Sequence, residues 1–201
     1  MADRLRVGVL LSGSGTNLQA ILDASGNEYE VSVVLSDRAD AKGLERARTA
    51  GVDAVHVDPK RHAGRDAFNA ALIDALRGHT VELVCLAGFM RILPPNFVRA
   101  FENRILNIHP ALLPAFPGGH AVADALAWGA KVTGTTVHLV DEEVDHGPIV
   151  LQEAVAVEPG DTEETLHDRI KAVEHRLYPQ AIRLFAAGRI KIEGRIVHIL
   201  D

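Results

Sequence analysis

Several classes of protein are excluded by what the chain lacks. A single cysteine, Cys85, occurs among its 201 residues, so a disulfide within the chain and a thiolate metal cluster are both excluded. That cysteine lies in the apolar run from Val81 to Ala87, which is typical of a buried core residue. No block of like charges occurs, and the net charge is −6. We therefore expect no nucleic-acid or membrane partner, and any anionic ligand must be captured locally.

The N-terminal residues predict neither a signal peptide nor a membrane span. They lead from Met1 through two arginines into a short apolar run that ends in a glycine-rich stretch, and such a run is too short for either. A cytoplasmic location is therefore expected. Hydrophobic residues make up 47% of the chain and no Pro/Ser-rich linker interrupts it, which predicts one folded domain over residues 1–201.

The alternation of elements predicts an α/β fold, a Rossmann-like and mostly parallel sheet with helices on both faces. Strands are predicted at Leu5–Leu11, Val31–Leu35, Ala54–Val57, Leu83–Ala87 and Ile105–Ile108, and helices at Asn17–Ala24, Gly43–Ala50 and Arg65–Arg77. Gly51 and Gly78 follow two of these helices, where C-terminal caps belong. In such a sheet the functional loops follow the C-terminal ends of the strands.

The pattern changes after His109, where the later strands are predicted to be antiparallel. The elements predicted there are a strand pair at Val132–Val140 and Ile149–Val157, a helix from a capping box at Asp161–Glu164 to about Ala187, and a hairpin of Ile190–Ile192 with Ile196–Ile199. We therefore divide the domain into a nucleotide-binding-like half, about residues 1–109, and a second half, about 110–201, with a long C-terminal helix.

A glycine-rich loop follows the first strand and leads into the first helix. It consists of Gly13, Ser14, Gly15, Thr16 and Asn17 after Ser12. Backbone N–H groups and the helix dipole favour a phosphate at such a position. Two other interpretations stay open. One is a tight turn with Thr16 as the helix N-cap. The other is a dinucleotide site with Asp37 as the ribose-binding acid, although Leu18 replaces the third glycine of that motif.

A second group of polar residues stands at the end of the fifth predicted strand. Alternation points Asn107 and His109 to the same face, and Pro110 restricts the backbone of His109 to extended geometry. An amide can stabilise an oxyanion, an imidazole can relay a proton, and Asp145 in the acidic loop 141–148 is the candidate acid that keeps the imidazole protonated near neutrality. A structural asparagine and a solvated acidic turn are the alternatives. No Gly-x-Ser-x-Gly or His-Glu-x-x-His motif occurs, so direct acyl transfer is favoured over covalent or zinc chemistry.

Three motifs, in order along the chain, resemble those of the phosphoribosylglycinamide formyltransferase family. They are Leu11–Gln19, Leu86–Leu93, and Asn107–Pro110 with Leu112-Leu113-Pro114, and the acidic loop Asp141–Pro148 completes them. The resemblance implies a formyltransferase fold and transfer of the formyl group of 10-formyltetrahydrofolate to the amine of glycinamide ribonucleotide, in purine synthesis, with no metal. It leaves the oligomeric state as monomer or homodimer.

The resemblance also implies roles for individual residues. Catalysis would use Asn107, His109 and Asp145. The substrate phosphate and ribose side would use Gly13 to Asn17 with Lys171 and Glu174. The folate side would use Arg65, Met90, Arg91, Ile92 and Leu93, with backbone groups of Val140, Asp141, Val144 and Asp145. The chain departs from many relatives at Ala121-Val122, where a Thr-His pair is common, and at His146, where glycine is common.

Three other functions compete with this hypothesis. The same catalytic residues could direct water in a 10-formyltetrahydrofolate hydrolase, although such enzymes tend to carry His-His where this chain has His109-Pro110. Formylation of initiator methionyl-tRNA would need a positive RNA-binding surface. A non-catalytic phosphate- or nucleotide-binding module would need only the glycine-rich loop.

Overall fold

A computed structural model describes residues 4–201 of the chain. Its strands are β1 (Leu5–Leu11), β2 (Tyr29–Ser36), β3 (Asp53–His56), β4 (Leu83–Leu86), β5 (Ile105–His109), β6 (Val132–Leu139), β7 (Ile149–Ala156), β8 (Ile190–Glu193) and β9 (Ile196–Ile199). Its helices are α1 (Thr16–Asp23), α2 (Lys42–Thr49), α3 (Arg65–Gly78), α4 (Pro95–Ala100), α5 (Ala121–Ala127) and α6 (Glu163–Ala186), with a 3-10 turn at Pro59–Arg61.

The larger sheet has seven strands in the order β3-β2-β1-β4-β5-β6-β7. Strand β1 pairs in parallel with β2 and β4, and β2 pairs in parallel with β3. Strands β6 and β7 are antiparallel, with a register shift between Val137 and His138. The predicted α/β class, with a mostly parallel sheet and antiparallel later strands, is confirmed. Strands β8 and β9 form a separate antiparallel hairpin.

The described chain divides into two compact units, the first ending at Leu106 and the second spanning Asn107–Asp201. In the first unit, β1 and β2 are almost continuously buried, as strands covered on both faces must be. The helices bury one stripe each: α2 buries Leu44 and Ala47, and α3 buries Phe68, Leu72 and Leu76. Spacings of three and four residues put these side chains on one helix face.

The second unit is organised around α6, which is 24 residues long. Leu166 and Ile170 of this helix form a buried cluster with Val122 and Val155. A capping box begins the helix, but its residues differ from the prediction. Thr162 is the N-cap and Thr165 is its partner, because the Thr162 hydroxyl accepts the Thr165 N–H while the Thr165 hydroxyl accepts the Thr162 N–H.

Two further details of the local prediction are wrong. Gly78 is the last residue of α3 and the C-cap is His79, because the left-handed position of this turn is occupied by Thr80, with φ 51°. Gly15 is the N-cap of α1 in a left-handed conformation, and no side chain caps the helix, so the interpretation of Thr16 as N-cap is also wrong.

Helices α4 and α5, of six and seven residues, are too short to show periodicity in the sequence.

Cys85 is fully buried, and its side chain is a thiol rather than half of a disulfide, as its apolar neighbours predict. Within residues 4–201, no helix combines the length and the apolar character needed to cross a bilayer.

The pairing of β6 with β7 predicts that Gly134→Ala destabilises the protein. A Cβ at Gly134 would collide with the Glu153 carbonyl oxygen and approach Leu112 Cδ2 to 2.7 Å, and such overpacking costs about 1–3 kcal/mol. Gly78→Ala is the matched control, because a Cβ added there would meet no atom within 4 Å and alanine in a helix is neutral or stabilising by up to about 1 kcal/mol. Denaturant unfolding measures both, and equal stabilities of the two variants would contradict the close approach.

Candidate active site

Two polar side chains of the second unit, Asn107 and His109, converge on the carboxylate of Asp145. Asn107 and His109 lie two residues apart on β5, so both project from the same face of the strand. Asn107 Nδ2 donates to Asp145 Oδ1 at 3.3 Å, and His109 Nδ1 lies 3.4 Å from Asp145 Oδ2. The structure therefore brings together the three residues that the sequence singles out for catalysis.

His109 is almost completely buried, with 4% of its surface exposed. Its Nε2 lies 2.7 Å from the carbonyl oxygen of Phe116, and because a carbonyl can only accept, this nitrogen carries a proton. Burial lowers the pKa of His109 below its ordinary value of 6.5, and the charge of Asp145 and the Phe116 carbonyl offset that effect only in part.

Asp145 is ionised at neutral pH. Burial acts to raise its pKa, but hydrogen bonding with His138, the Gly118 N–H and the charge of His109 together lower the pKa below its ordinary value. The Gly118 N–H donates to Asp145 Oδ2 at 2.8 Å. The backbone of Asp145 is left-handed, with φ 52°, a conformation that costs energy for a residue with a side chain and that recurs at functional sites.

His138 is a member of this cluster that sequence reasoning missed. It lies near the end of β6 with 1% of its surface exposed. Its Nδ1 lies 2.8 Å from the Leu139 carbonyl oxygen, its Nε2 lies 3.1 Å from Asn107 Nδ2, and the same Nε2 lies 3.7 Å from Asp145 Oδ1. The signal that could have found it is a histidine between Val137 and Leu139, in an apolar strand that leads into the acidic loop.

The acidic loop that carries Asp145 is held from outside the cluster. Asp141 Oδ1 accepts the Glu143 N–H at 2.9 Å, and Asp141 Oδ2 lies 2.7 Å from His146 Nδ1. Arg195, in the turn between β8 and β9, donates to the His146 carbonyl oxygen at 2.6 Å and places Nη1 within 3.2 Å of both ring nitrogens. The departure from the family at His146 thus gives the loop additional contacts.

The glycine-rich loop belongs to the first unit. A Cβ at Gly15 would lie 2.7 Å from Gly43 Cα, whereas nothing lies within 4 Å of the corresponding position at Gly13. Contact with α2 therefore accounts for Gly15, while no protein contact accounts for Gly13. The carbonyl of Gly13 accepts a hydrogen bond from the Gly43 N–H, and that of Ser14 accepts one from Arg46 Nε. Both carbonyl groups therefore have hydrogen-bond donors from α2.

Asp37 is engaged in protein contacts and is not free to bind a ribose. Its Oδ1 accepts the Ser12 hydroxyl at 2.6 Å, its Oδ2 accepts Arg91 Nε at 2.6 Å, and its side chain is 7% exposed. The Ser12 Oγ in turn accepts the Met90 N–H at 3.0 Å. These contacts argue against the interpretation of the loop as a dinucleotide site. They also connect Ser12, just before the glycine-rich loop, with Met90 and Arg91 in the segment predicted to bind folate.

The other residues predicted for the folate side differ in exposure. Met90 is 76% exposed, Ile92 is 64% exposed and Leu93 is buried. Arg65 Nη2 donates to the Ile92 carbonyl oxygen at 2.8 Å, so this arginine holds the segment in place. In the second unit Val144 is exposed, with 52% of its surface accessible, and Val140 is half-buried.

Two residues of the second unit are predicted to bind the substrate, Lys171 and Glu174. They lie three positions apart on one face of α6. Lys171 pairs with Asp168 at 3.0 Å, and Glu174 is buried, with 4% exposure. Ala121 and Val122, the other departure from the family, are buried at the start of α5 and serve its packing. Within residues 4–201 no group of three or more His, Cys, Asp or Glu side chains is arranged to hold a metal ion.

The class of protein follows from comparison with known families. The model of the family described as Formyl transferase matches residues 5–182, which is most of the chain. The fold described above is thus that of a formyl transferase.

The relatives narrow the class further. The chain is 49% identical over 192 residues to the phosphoribosylglycinamide formyltransferase of Mycobacterium tuberculosis H37Rv, covering 94% of this chain and 89% of that one. The structure matches glycinamide ribonucleotide transformylase 1 from Symbiobacterium toebii with a TM-score of 0.98 and 60% identity, over 100% of this chain and 96% of the other. The chain therefore belongs to the phosphoribosylglycinamide formyltransferase family.

Other relatives are longer than this chain. It is 46% identical over 193 residues to the trifunctional purine biosynthetic protein adenosine-3 of Gallus gallus, which covers 94% of the chain but only 19% of that protein. A formyltetrahydrofolate deformylase from Pseudomonas syringae shares the fold with a TM-score of 0.90 at 27% identity, over the whole chain and 67% of that protein.

The balance of charges around His109 predicts the effect of Asp145→Asn on its titration. The substitution removes the carboxylate that raises the pKa of His109 and leaves the ring buried, so this pKa should fall further below 6.5. NMR titration of labelled imidazoles, assigned with His109→Asn, measures the shift. Asp141→Asn, in the exposed part of the same loop, should leave the titration of His109 unchanged. An unchanged or raised pKa of His109 in Asp145→Asn would show that the carboxylate does not stabilise the charged ring.

Proposed function

We propose that the chain transfers the formyl group of 10-formyltetrahydrofolate to the amine of glycinamide ribonucleotide in purine biosynthesis. The observation that supports this proposal most directly is the convergence of Asn107 and His109 on the Asp145 carboxylate, at distances of 3.3 and 3.4 Å. The family match gives that cluster its reaction class, since members named for this activity cover nearly the whole chain.

The reaction is an acyl transfer between two nitrogens. The amine nitrogen attacks the formyl carbon, the new C–N bond forms, and the carbonyl oxygen becomes an oxyanion. Asn107 is suited to stabilise this oxyanion, because an amide donates without titrating. The bond from the formyl carbon to N10 of the folate then breaks, and the proton lost by the attacking amine must reach N10.

His109 is suited to carry that proton. Its Nε2 proton is held by the Phe116 carbonyl, so Nδ1 is the nitrogen that takes up and releases the second proton. The imidazolium formed has both N–H groups directed at acceptors, Phe116 O on one side and Asp145 Oδ2 on the other. Asp145 thus favours the charged form of the ring.

The substrate-binding assignments follow the family resemblance. The Gly13–Asn17 loop would bind the substrate phosphate, and the open space at Gly13 fits that role. Lys171 and Glu174 would contact the same substrate. The segment from Met90 to Leu93, with Arg65, Arg91 and backbone groups of 140–145, would bind the folate; the exposed Met90 and Ile92 offer it an apolar surface. We assign the protein to the cytoplasm, acting as a monomer or homodimer on small molecules.

One assay separates this function from its rivals. The chain is mixed with 10-formyltetrahydrofolate, with or without glycinamide ribonucleotide, and loss of the formyl group is followed by absorbance. Transfer predicts loss that depends on the amine. Loss without the amine would identify the hydrolase, an outcome that the deformylase fold match makes worth testing. Phosphate binding without any formyl loss would identify a non-catalytic module.

Removal of the Asn107 amide should slow the reaction strongly. Loss of one preorganised oxyanion donor lowers turnover by about 10²–10³-fold, so Asn107→Ala should show a decrease in kcat of that size. His198→Ala is the control, because this histidine lies in the exposed hairpin and pairs with Glu193 at 3.4 Å. Turnover in Asn107→Ala equal to that of His198→Ala would remove Asn107 from its assigned role.

A further inference from the structure

We propose that Arg46 is a positioning residue for the substrate phosphate, which holds the glycine-rich loop so that two of its backbone N–H groups face the ligand. The inference rests on the proposed function, because it concerns the loop assigned to the phosphate of glycinamide ribonucleotide. Its basis is the hydrogen bond from Arg46 Nε to the Ser14 carbonyl oxygen, at 2.9 Å.

Two consecutive carbonyl groups of the loop are held by the same helix. The Gly13 carbonyl accepts the Gly43 N–H at 3.1 Å, and the Ser14 carbonyl accepts Arg46 Nε. Gly43 and Arg46 are three residues apart on α2, so they lie on one face of that helix. Both carbonyl groups therefore point toward α2.

The N–H groups of the same two peptide units point the other way. A trans peptide unit is planar and directs its C=O and N–H to opposite sides, so the N–H groups of Ser14 and Gly15 face away from α2. Neither N–H donates to a protein acceptor within residues 4–201. Gly15 is left-handed, with φ 70°, and successive N–H groups at such a turn form a concave anion site. The two contacts from α2 thus leave both donors available to a phosphate.

Arg46 also brings a positive charge to a loop that contains none. The segment from Ser12 to Asn17 has no lysine or arginine. Within residues 4–201 the arginine side chain contacts a carbonyl and an amide oxygen, so no carboxylate neutralises its charge. A cation at the Ser14 carbonyl polarises that peptide unit, which makes the Gly15 N–H at its other side a stronger donor.

The position of the guanidinium is itself fixed. Arg46 Nη1 donates to Gln19 Oε1 at 3.1 Å, and Gln19 Nε2 donates to Asp23 Oδ1 at 2.8 Å. Because Asp23 takes the NH2 end of this amide, the oxygen end faces the arginine. Helix α2 also packs directly on β1, since a Cβ added at Gly43 would collide with Leu11.

Arg46→Met tests the inference, because it keeps an apolar side chain and removes both the donors and the charge. We expect inorganic phosphate to bind about tenfold more weakly, the equivalent of about 1.4 kcal/mol. The titration is followed by NMR through the amide signals of Ser14 and Gly15. Arg46→Lys, which keeps the charge and one donating group, should recover part of the loss.

Arg48→Met is the matched control. It removes the same charge from the same helix at an exposed position. Residues two positions apart leave different faces of a helix, so Arg48 does not share the position of Arg46 at the loop. Its affinity for inorganic phosphate should equal that of the wild type within about twofold.

Steady-state kinetics separate positioning from a general structural role. In Arg46→Met the KM for glycinamide ribonucleotide should rise about tenfold, while kcat and the KM for 10-formyltetrahydrofolate stay within about twofold. For glycinamide riboside, the same amine without its phosphate, kcat/KM should change by less than about twofold. Equal losses with the two amines would indicate general damage to the protein, and that result or unchanged phosphate binding would overturn the inference.

Should Arg46→Met fail to fold, as judged by circular dichroism, the same measurements are made with Arg46→Gln under the same criteria. Absence of amine-dependent transfer in the wild type would instead refute the proposed function, and the phosphate titration would still decide the role of Arg46.

Discussion

The carboxylate of Asp145, a side chain with 11% of its surface exposed, is the constraint on which the catalytic cluster depends. A charge removed from water must be compensated by donors, and here these are the Gly118 N–H, the Asn107 amide and the two neighbouring histidines. To reach them, the loop takes a left-handed conformation at Asp145 itself. The site is thus built around one anion, and the remaining polar groups are placed by their need to face it.

The same arrangement links stability to acidity. The pKa of Asp145 is lowered, so its ionised form stabilises the fold above its ordinary pKa, and that contribution is lost as the pH falls toward the lowered value. The pKa of His109 is lowered by burial, so its contribution is complete above 6.5 and is lost as the pH falls below that value. Both effects favour the neutral range, and acid removes first the contribution of His109 and then that of Asp145.

The sequence predicts those features that depend on periodicity or on chain direction. Continuous apolar runs identify β1, β2 and β4, and alternation puts Asn107 and His109 on one face of β5. The failures concern contacts between side chains distant in sequence. The sequence makes Asp37 a candidate ribose ligand, but in the structure its two carboxylate oxygens accept hydrogen bonds from Ser12 and Arg91. His138 looks like an ordinary strand residue, because its contacts with Asn107 and Asp145 join residues that are distant in the sequence.

The choice of an amide at position 107 follows from the charge balance of the cluster. A lysine or arginine there could also stabilise an oxyanion, but it would form an ion pair with Asp145 and reduce the negative charge available to His109. Since burial already lowers the pKa of His109, the ring would then lose the one charge that favours its protonation during the reaction. A neutral donor avoids this conflict.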